Sequence, residues 1–126
     1  MRALGLVVLI ACGGAQRPPA FDARGLAAEL DGHLAALAQV IHTHRDDCPS
    51  MERELRALFA RMEPTLARAR QAQEDATQAK QLTTELRAYD GRAREREAAI
   101  ERDFSIEATC ARHDGVREAM RTMPTL

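Results

Sequence analysis

Apolar side chains recur every three or four residues along most of the chain, and this spacing limits the fold more than any other feature. Residues three or four apart lie on the same face of an α-helix, whereas a half-buried strand alternates at every second residue. Three stripes consist of Leu26, Leu30, His33, Leu34, Leu37, Ile41 and His44; of Met51, Leu55, Leu58, Phe59, Met62 and Leu66; and of Leu82, Leu86, Tyr89, Ala93, Ile100 and Phe104. The chain has one Tyr, three Phe and no Trp, a composition that disfavours a β-sandwich or barrel. We therefore predict an all-α fold.

Polar residues predict where the helices begin. Asp22 precedes the first stripe as an N-cap, and Ser50, directly after Pro49, is predicted to open the second helix. The sequence Asp-Ala-Thr-Gln at 75–78 resembles a capping box and predicts the start of a third helix. A last segment, 105–123, predicts a short C-terminal helix. Its apolar positions are Ile106, Cys110, Val116, Met120 and Met123.

The first residues predict secretion. Met1 and Arg2 are followed by nine residues, 3–11, without a charge or a hydrogen-bonding side chain. As a helix this run is about 14 Å long, roughly half of the hydrocarbon thickness of a bilayer. It is too short for a permanent membrane span and is typical of a signal peptide.

The end of this run resembles the lipobox of bacterial lipoproteins. The matching residues are Leu9-Ile10-Ala11-Cys12. In that family the thiol of the cysteine receives a diacylglyceryl group, the chain is cut before it, and the new amino terminus is acylated, for example with palmitate. The resemblance implies a removed signal peptide at 1–11, a lipidated Cys12 with a Pro-containing tether at 12–20, and a helical-bundle domain at 21–126. An ordinary signal peptide cut near Gly13–Ala15 is the alternative.

The resemblance also implies a location. A lipid on Cys12 makes the membrane itself a partner of the protein and places the domain in the bacterial cell envelope, facing the periplasm. No Asp follows Cys12. In the enteric members of the family an Asp there indicates inner-membrane retention, so its absence favours the outer membrane.

The remaining two cysteines, Cys48 and Cys110, form an even pair in a chain addressed to an oxidising compartment. We predict that they form one disulfide, with a buried reduced pair as the alternative. Since the bond brings the chain back to one end, the intervening helices must be of similar length. This places the second turn at 75–79 rather than at Asp90–Gly91. The predicted architecture is an up-down bundle of three long helices and a short fourth.

Four histidines are the candidate metal ligands. His44 lies shortly before Cys48 and His113 shortly after Cys110, so the disulfide could bring them together as a Zn²⁺ or Cu²⁺ site. His33 lies about 16 Å from His44 along a helix and cannot share that ion. His42 is poorly placed too, since residues two apart point in different directions. Against the site, histidines are common at helix C-termini because the helix dipole favours them there.

No sequence motif predicts an enzyme. The chain has no Gly-rich phosphate loop, no G-x-S-x-G and no H-E-x-x-H, and no C-x-x-C-H for haem attachment. Its net charge of −1 argues against nucleic-acid binding. We predict no catalytic residue and no cofactor, and a non-enzymatic interaction or structural module with a protein partner in the envelope. A periplasmic metal sensor or chaperone is the alternative, and a small envelope enzyme comes third.

Overall fold

A computed structural model of the chain describes residues 20–126, which contain helices and no strand. The elements are α1 (Ala23–Thr43), α2 (Cys48–Gln73), α3 (Ala76–Leu86), a 3₁₀ turn (Arg87–Tyr89), α4 (Asp90–Asp103), a second 3₁₀ turn (Thr109–Arg112) and α5 (Asp114–Arg121). The predicted all-α class is therefore confirmed. None of these helices is long and apolar enough to cross a membrane.

Aspartates cap the first three helices. Asp22 accepts a hydrogen bond from the Gly25 N–H at 2.8 Å, and Asp75 accepts one from the Gln78 N–H at 2.9 Å. Both caps were predicted. The prediction for α2 was wrong, because the helix begins two residues before Ser50, and Asp47 is its N-cap. Proline is well tolerated in the first turn of a helix, where its missing N–H has no helical partner, so Pro49 lies inside α2.

The chain runs up, down and up again. α1 and α2 are joined by a short turn at residues 44–47, and the chain reverses again at Glu74–Asp75. The second reversal lies at the edge of the predicted range 75–79. Asp90–Gly91 is not a turn, because the 3₁₀ segment Arg87–Tyr89 leads directly into α4. α3 and α4 thus form one long rod that packs along α1.

The core is divided between the two ends of the bundle, which we call the disulfide end, around Cys48, and the N-terminal end, around Phe21. The larger cluster lies at the disulfide end and includes the fully buried Ile41, Met51 and Leu55. The smaller cluster consists of Leu26, Ala27, Ala69, Ala72 and Leu82. Every member of the α2 stripe is buried, whereas α1 buries only part of its stripe. α2 therefore contributes the largest share of the buried side chains.

The disulfide Cys48–Cys110 is present, with its Cα atoms 5.3 Å apart. It joins the first residue of α2 to the second 3₁₀ turn, and α5 then packs on α2 through Val116 and Ala119. The C-terminal helix is shorter than the predicted segment 105–123. Ile106, expected on its buried face, is 83% exposed, because the chain between Phe104 and Ala108 leaves the helical conformation.

Candidate functional site

The disulfide end was the predicted location of any chemistry. Here the C-terminus of α1, the N-terminus of α2 and the segment before α5 meet around the Cys48–Cys110 bond. Cys48 is 9% exposed and Cys110 is 1% exposed. A bond buried to this extent acts as a structural link, since thiol exchange requires access to a sulfur atom.

His113 is occupied by the backbone of its own helix. It is the N-cap of α5, and its Nδ1 accepts the Val116 N–H at 3.1 Å. A neutral imidazole that accepts at Nδ1 carries its proton on Nε2. Neither ring nitrogen therefore offers a lone pair to a metal ion in this arrangement.

His44 lies at the other side of the same end, as the C-cap of α1. Its backbone N–H donates to the Val40 carbonyl at 3.1 Å, and its carbonyl accepts the Asp47 N–H at 2.9 Å. Residues 20–126 contain no group of three His, Cys, Asp or Glu side chains suited to hold a metal ion. The disulfide brings the segments of His44 and His113 to one end of the bundle, where both residues serve as helix caps.

Asp47 is the residue at this end whose ionisation is most clearly perturbed. The Ser50 hydroxyl donates to its carboxylate at 2.7 Å and the Ser50 N–H donates at 3.2 Å. These bonds favour the ionised form and lower the pKa of Asp47, with smaller contributions from the charges of His44 and Arg53. Its role as the N-cap of α2 was not predicted from the sequence, although a position three residues before Ser50 is a usual N-cap spacing.

Two further histidines link helices that are distant in the sequence. His33 on α1 contacts Thr65 on α2, with 2.9 Å between its Nε2 and the hydroxyl oxygen. His42 lies 2.9 Å from the Asp103 carboxylate at the end of α4 through its Nδ1. Local sequence patterns do not predict the second pair, because His42 and Asp103 are 61 positions apart.

The seam between α1 and α4 carries a second polar link. Arg96 pairs with the Asp31 carboxylate and also donates to the Asp31 carbonyl at 2.9 Å. Between this link and the His42–Asp103 pair lies an open cleft of about 400 Å³. Its lining includes Ala35, Ala38, Gln39, Ala99 and Arg102. The cleft is shallow and mixes small apolar side chains with charged ones.

A second cavity, of about 520 Å³, lies at the N-terminal end, where the chain enters the bundle. It is lined mainly by Ala20, Phe21, Leu26, Arg68, Gln71 and Gln78. Arg68 is engaged by Glu29 at 2.7 Å. The lining of this cavity is suited to contact with another molecule rather than to a chemical reaction.

Comparisons of the chain with models of protein families, with curated proteins and with solved structures gave no match. The predicted lipid attachment site, Cys12, lies outside the described residues.

Proposed function

We propose that the protein is a lipid-anchored envelope protein whose disulfide-linked bundle is a non-enzymatic interaction module. The observation that carries the proposal is the motif Leu9-Ile10-Ala11-Cys12 at the end of a short apolar run. The Cys48–Cys110 bond supports it, because disulfides persist in the periplasm and are rare in the cytosol.

The distance from the lipid to the bundle is short in this proposal. Residues 13–20 can span at most about 28 Å when fully extended. α1 begins at Ala23, so the N-terminal end of the bundle lies nearest to the membrane. α2 has 26 residues and is about 39 Å long. The disulfide end is therefore the part presented to the periplasm and to a protein partner.

Features of that end support an interaction role. Ile106 is the most exposed large apolar side chain of residues 20–126, and its loop is fixed by the disulfide on one side. Arg112 also donates to the Ile106 carbonyl at 3.2 Å. Burial of this exposed aliphatic side chain in an apolar pocket on another protein would be favourable.

The anchor is tested by replacing the thiol that would carry it. In the Cys12→Ser variant we expect the protein to leave the membrane fraction and the intact mass to lose its acyl chains. A Cys48→Ala/Cys110→Ala variant is the matched control, since it keeps Cys12 and should keep the lipid. A wild-type protein whose mature mass shows no acyl chain would contradict the anchor.

The interaction role is tested separately by chemical crosslinking in intact cells, followed by purification from membranes. We expect a specific envelope protein to be crosslinked to the wild-type bundle and to be lost or strongly reduced with Ile106→Asp. Leu126→Asp is the control. Leu126 is also exposed, at 57%, but it follows Thr125, whose carbonyl accepts a hydrogen bond from Arg70 near the other end of α2. A crosslinking pattern that is unchanged by Ile106→Asp would exclude the disulfide end as the contact.

A further inference from the structure

α4 is the least buried of the helices in residues 20–126. None of its side chains is buried, whereas α2 buries a continuous stripe. Its main contribution to the core comes from Ile100, with Phe104 directly after the helix, and both are only half-buried. Helices of this length are marginal alone in water, so α4 depends on its contact with α1.

The helix gains little support from its own charges. Within residues 90–103 no two side chains form an ion pair, although acidic and basic residues alternate there. Glu97 and Glu101, four residues apart, repel each other on the same face. Ion pairs within α4 therefore do not stabilise the helix.

The packing of α4 on α1 is incomplete. The lining of the cleft of about 400 Å³ between them includes the small side chains of Ala35, Ala38 and Ala99. These three alanines stay partly exposed to solvent, so this part of the seam buries less apolar surface than a filled one would.

Two polar links fasten the helix instead. Arg96 binds the side chain and the carbonyl of Asp31, and His42 binds Asp103. The Asp31 and Asp103 side chains are only 11% and 12% exposed, so both carboxylates are better satisfied when α4 is in place. Asp31 and His42 are eleven positions apart on α1, about 16 Å along its axis.

α4 is bounded on both sides by backbone that is not α-helical. The 3₁₀ turn Arg87–Tyr89 precedes it. The non-helical residues 105–108 follow it, before the disulfide at Cys110. The α-helical hydrogen bonding is thus interrupted at each end of α4, and α3 and the disulfide anchor the chain beyond these interruptions.

We propose that α4 is a strap that detaches from α1 as a unit while α1, α2 and α5 stay folded. Detachment breaks the links to Asp31 and His42 and uncovers the face of α1 between them. The inference rests on the described residues and does not depend on the lipid on Cys12.

Native-state hydrogen exchange on the full-length protein tests this, with urea added below the unfolding transition. We expect the amides of α4 to exchange about tenfold faster than those of α2, or more. The exchange rates of the α4 amides should all depend on urea concentration in the same way, and more weakly than global unfolding does. Asp31→Asn should increase the α4 rates by a further factor of about ten, and Asp103→Asn should act in the same direction. Glu29→Gln is the matched control, because it breaks an exposed link to Arg68 on α2 and should leave α4 unchanged.

Three results would overturn the strap. The first is α4 exchange with the same urea dependence as α2, which would show that the two unfold together. The second is α4 exchange without any urea dependence, which reports independent fluctuations of single amides. The third is equal acceleration of all helices by Asp31→Asn and Asp103→Asn.

Discussion

Two glycines on α1 illustrate how position decides the effect of one methyl group. A Cβ at Gly32 would meet no atom within 4 Å, whereas a Cβ at Gly25 would lie 2.2 Å from the Asp22 carboxylate oxygen. That carboxylate caps α1, so an added methyl group would displace the cap. No steric constraint therefore requires glycine at position 32, where it weakens the helix. At position 25 glycine leaves room for the Asp22 carboxylate that caps α1.

We expect Gly32→Ala to raise the free energy of unfolding by up to about 1 kcal/mol, the difference in helix propensity between the two residues. Gly25→Ala should give no such gain, because a weakened N-cap costs about as much. Urea denaturation of both variants with the disulfide intact measures the difference. Equal stabilisation by the two substitutions would show that the Asp22 cap does not depend on glycine.

Asp47 predicts a contribution to stability that depends on pH. Its pKa is lowered in the folded protein by the hydrogen bonds from Ser50, so folding favours the ionised form. The contribution is complete above the usual aspartate pKa of about 3.9 and is lost as the pH falls through the lower folded value. Acid should therefore weaken the start of α2.

Asp47→Asn keeps a side chain that can cap the helix but does not titrate. We expect its free energy of unfolding to fall less steeply than that of the wild type between pH 5 and about pH 2, measured by urea denaturation. Asp46→Asn is the control, since Asp46 is 88% exposed and makes no cap. If Asp47→Asn and the wild type lose stability in parallel, the cap is not the acid-sensitive group.

At the scale of the helices, α1 and α2 are held in register by a polar contact inside an apolar seam. Thr65 is only 3% exposed, and its hydroxyl meets the His33 ring at 2.9 Å. A buried polar group that loses its partner costs more than the net value of the bond. The contact therefore discourages α1 from sliding along α2.

Thr65→Val keeps the shape of the side chain and removes the hydroxyl. We expect a loss of about 1 kcal/mol, measured as the shift of the urea midpoint at constant slope. The double variant His33→Leu/Thr65→Val should recover part of the loss, because both polar groups are then gone. A double variant whose cost equals the sum of two independent single costs would argue against the contact.

Local signals explain what the sequence predicted at this scale. Asp22, Asp75 and the α2 stripe act within a few residues, so spacing alone reveals them. The start of α2 at Cys48 was missed because Ser50 is an equally good cap by type. The pairing of His42 with Asp103, and of Asp31 with Arg96, depends on how α4 aligns with α1. Long-range alignment has no counterpart in local periodicity.

For the whole molecule, the requirement that Cys48 and Cys110 meet predicted the reversal near residue 75, although Asp90–Gly91 looks locally more like a turn.

The disulfide closes a loop with a sequence separation of 62, for which loop-closure entropy gives about 4 kcal/mol. We expect the Cys48→Ala/Cys110→Ala variant to lose a stability of this order in urea denaturation. Reduction of the wild type under the same conditions should give a similar loss. Unchanged stability in both would show that the unfolded chain is not restricted by the bond.

The position of the disulfide also determines how the chain transmits force. Tension applied between residue 20 and Leu126 follows the shortest covalent path, which runs along α1, crosses from Cys48 to Cys110 and leaves through α5. Residues 49–109 lie off that path and bear no covalent load. Pulling on the two ends can extend α1 and α5, while the backbone of α2, α3 and α4 is loaded only through non-covalent contacts.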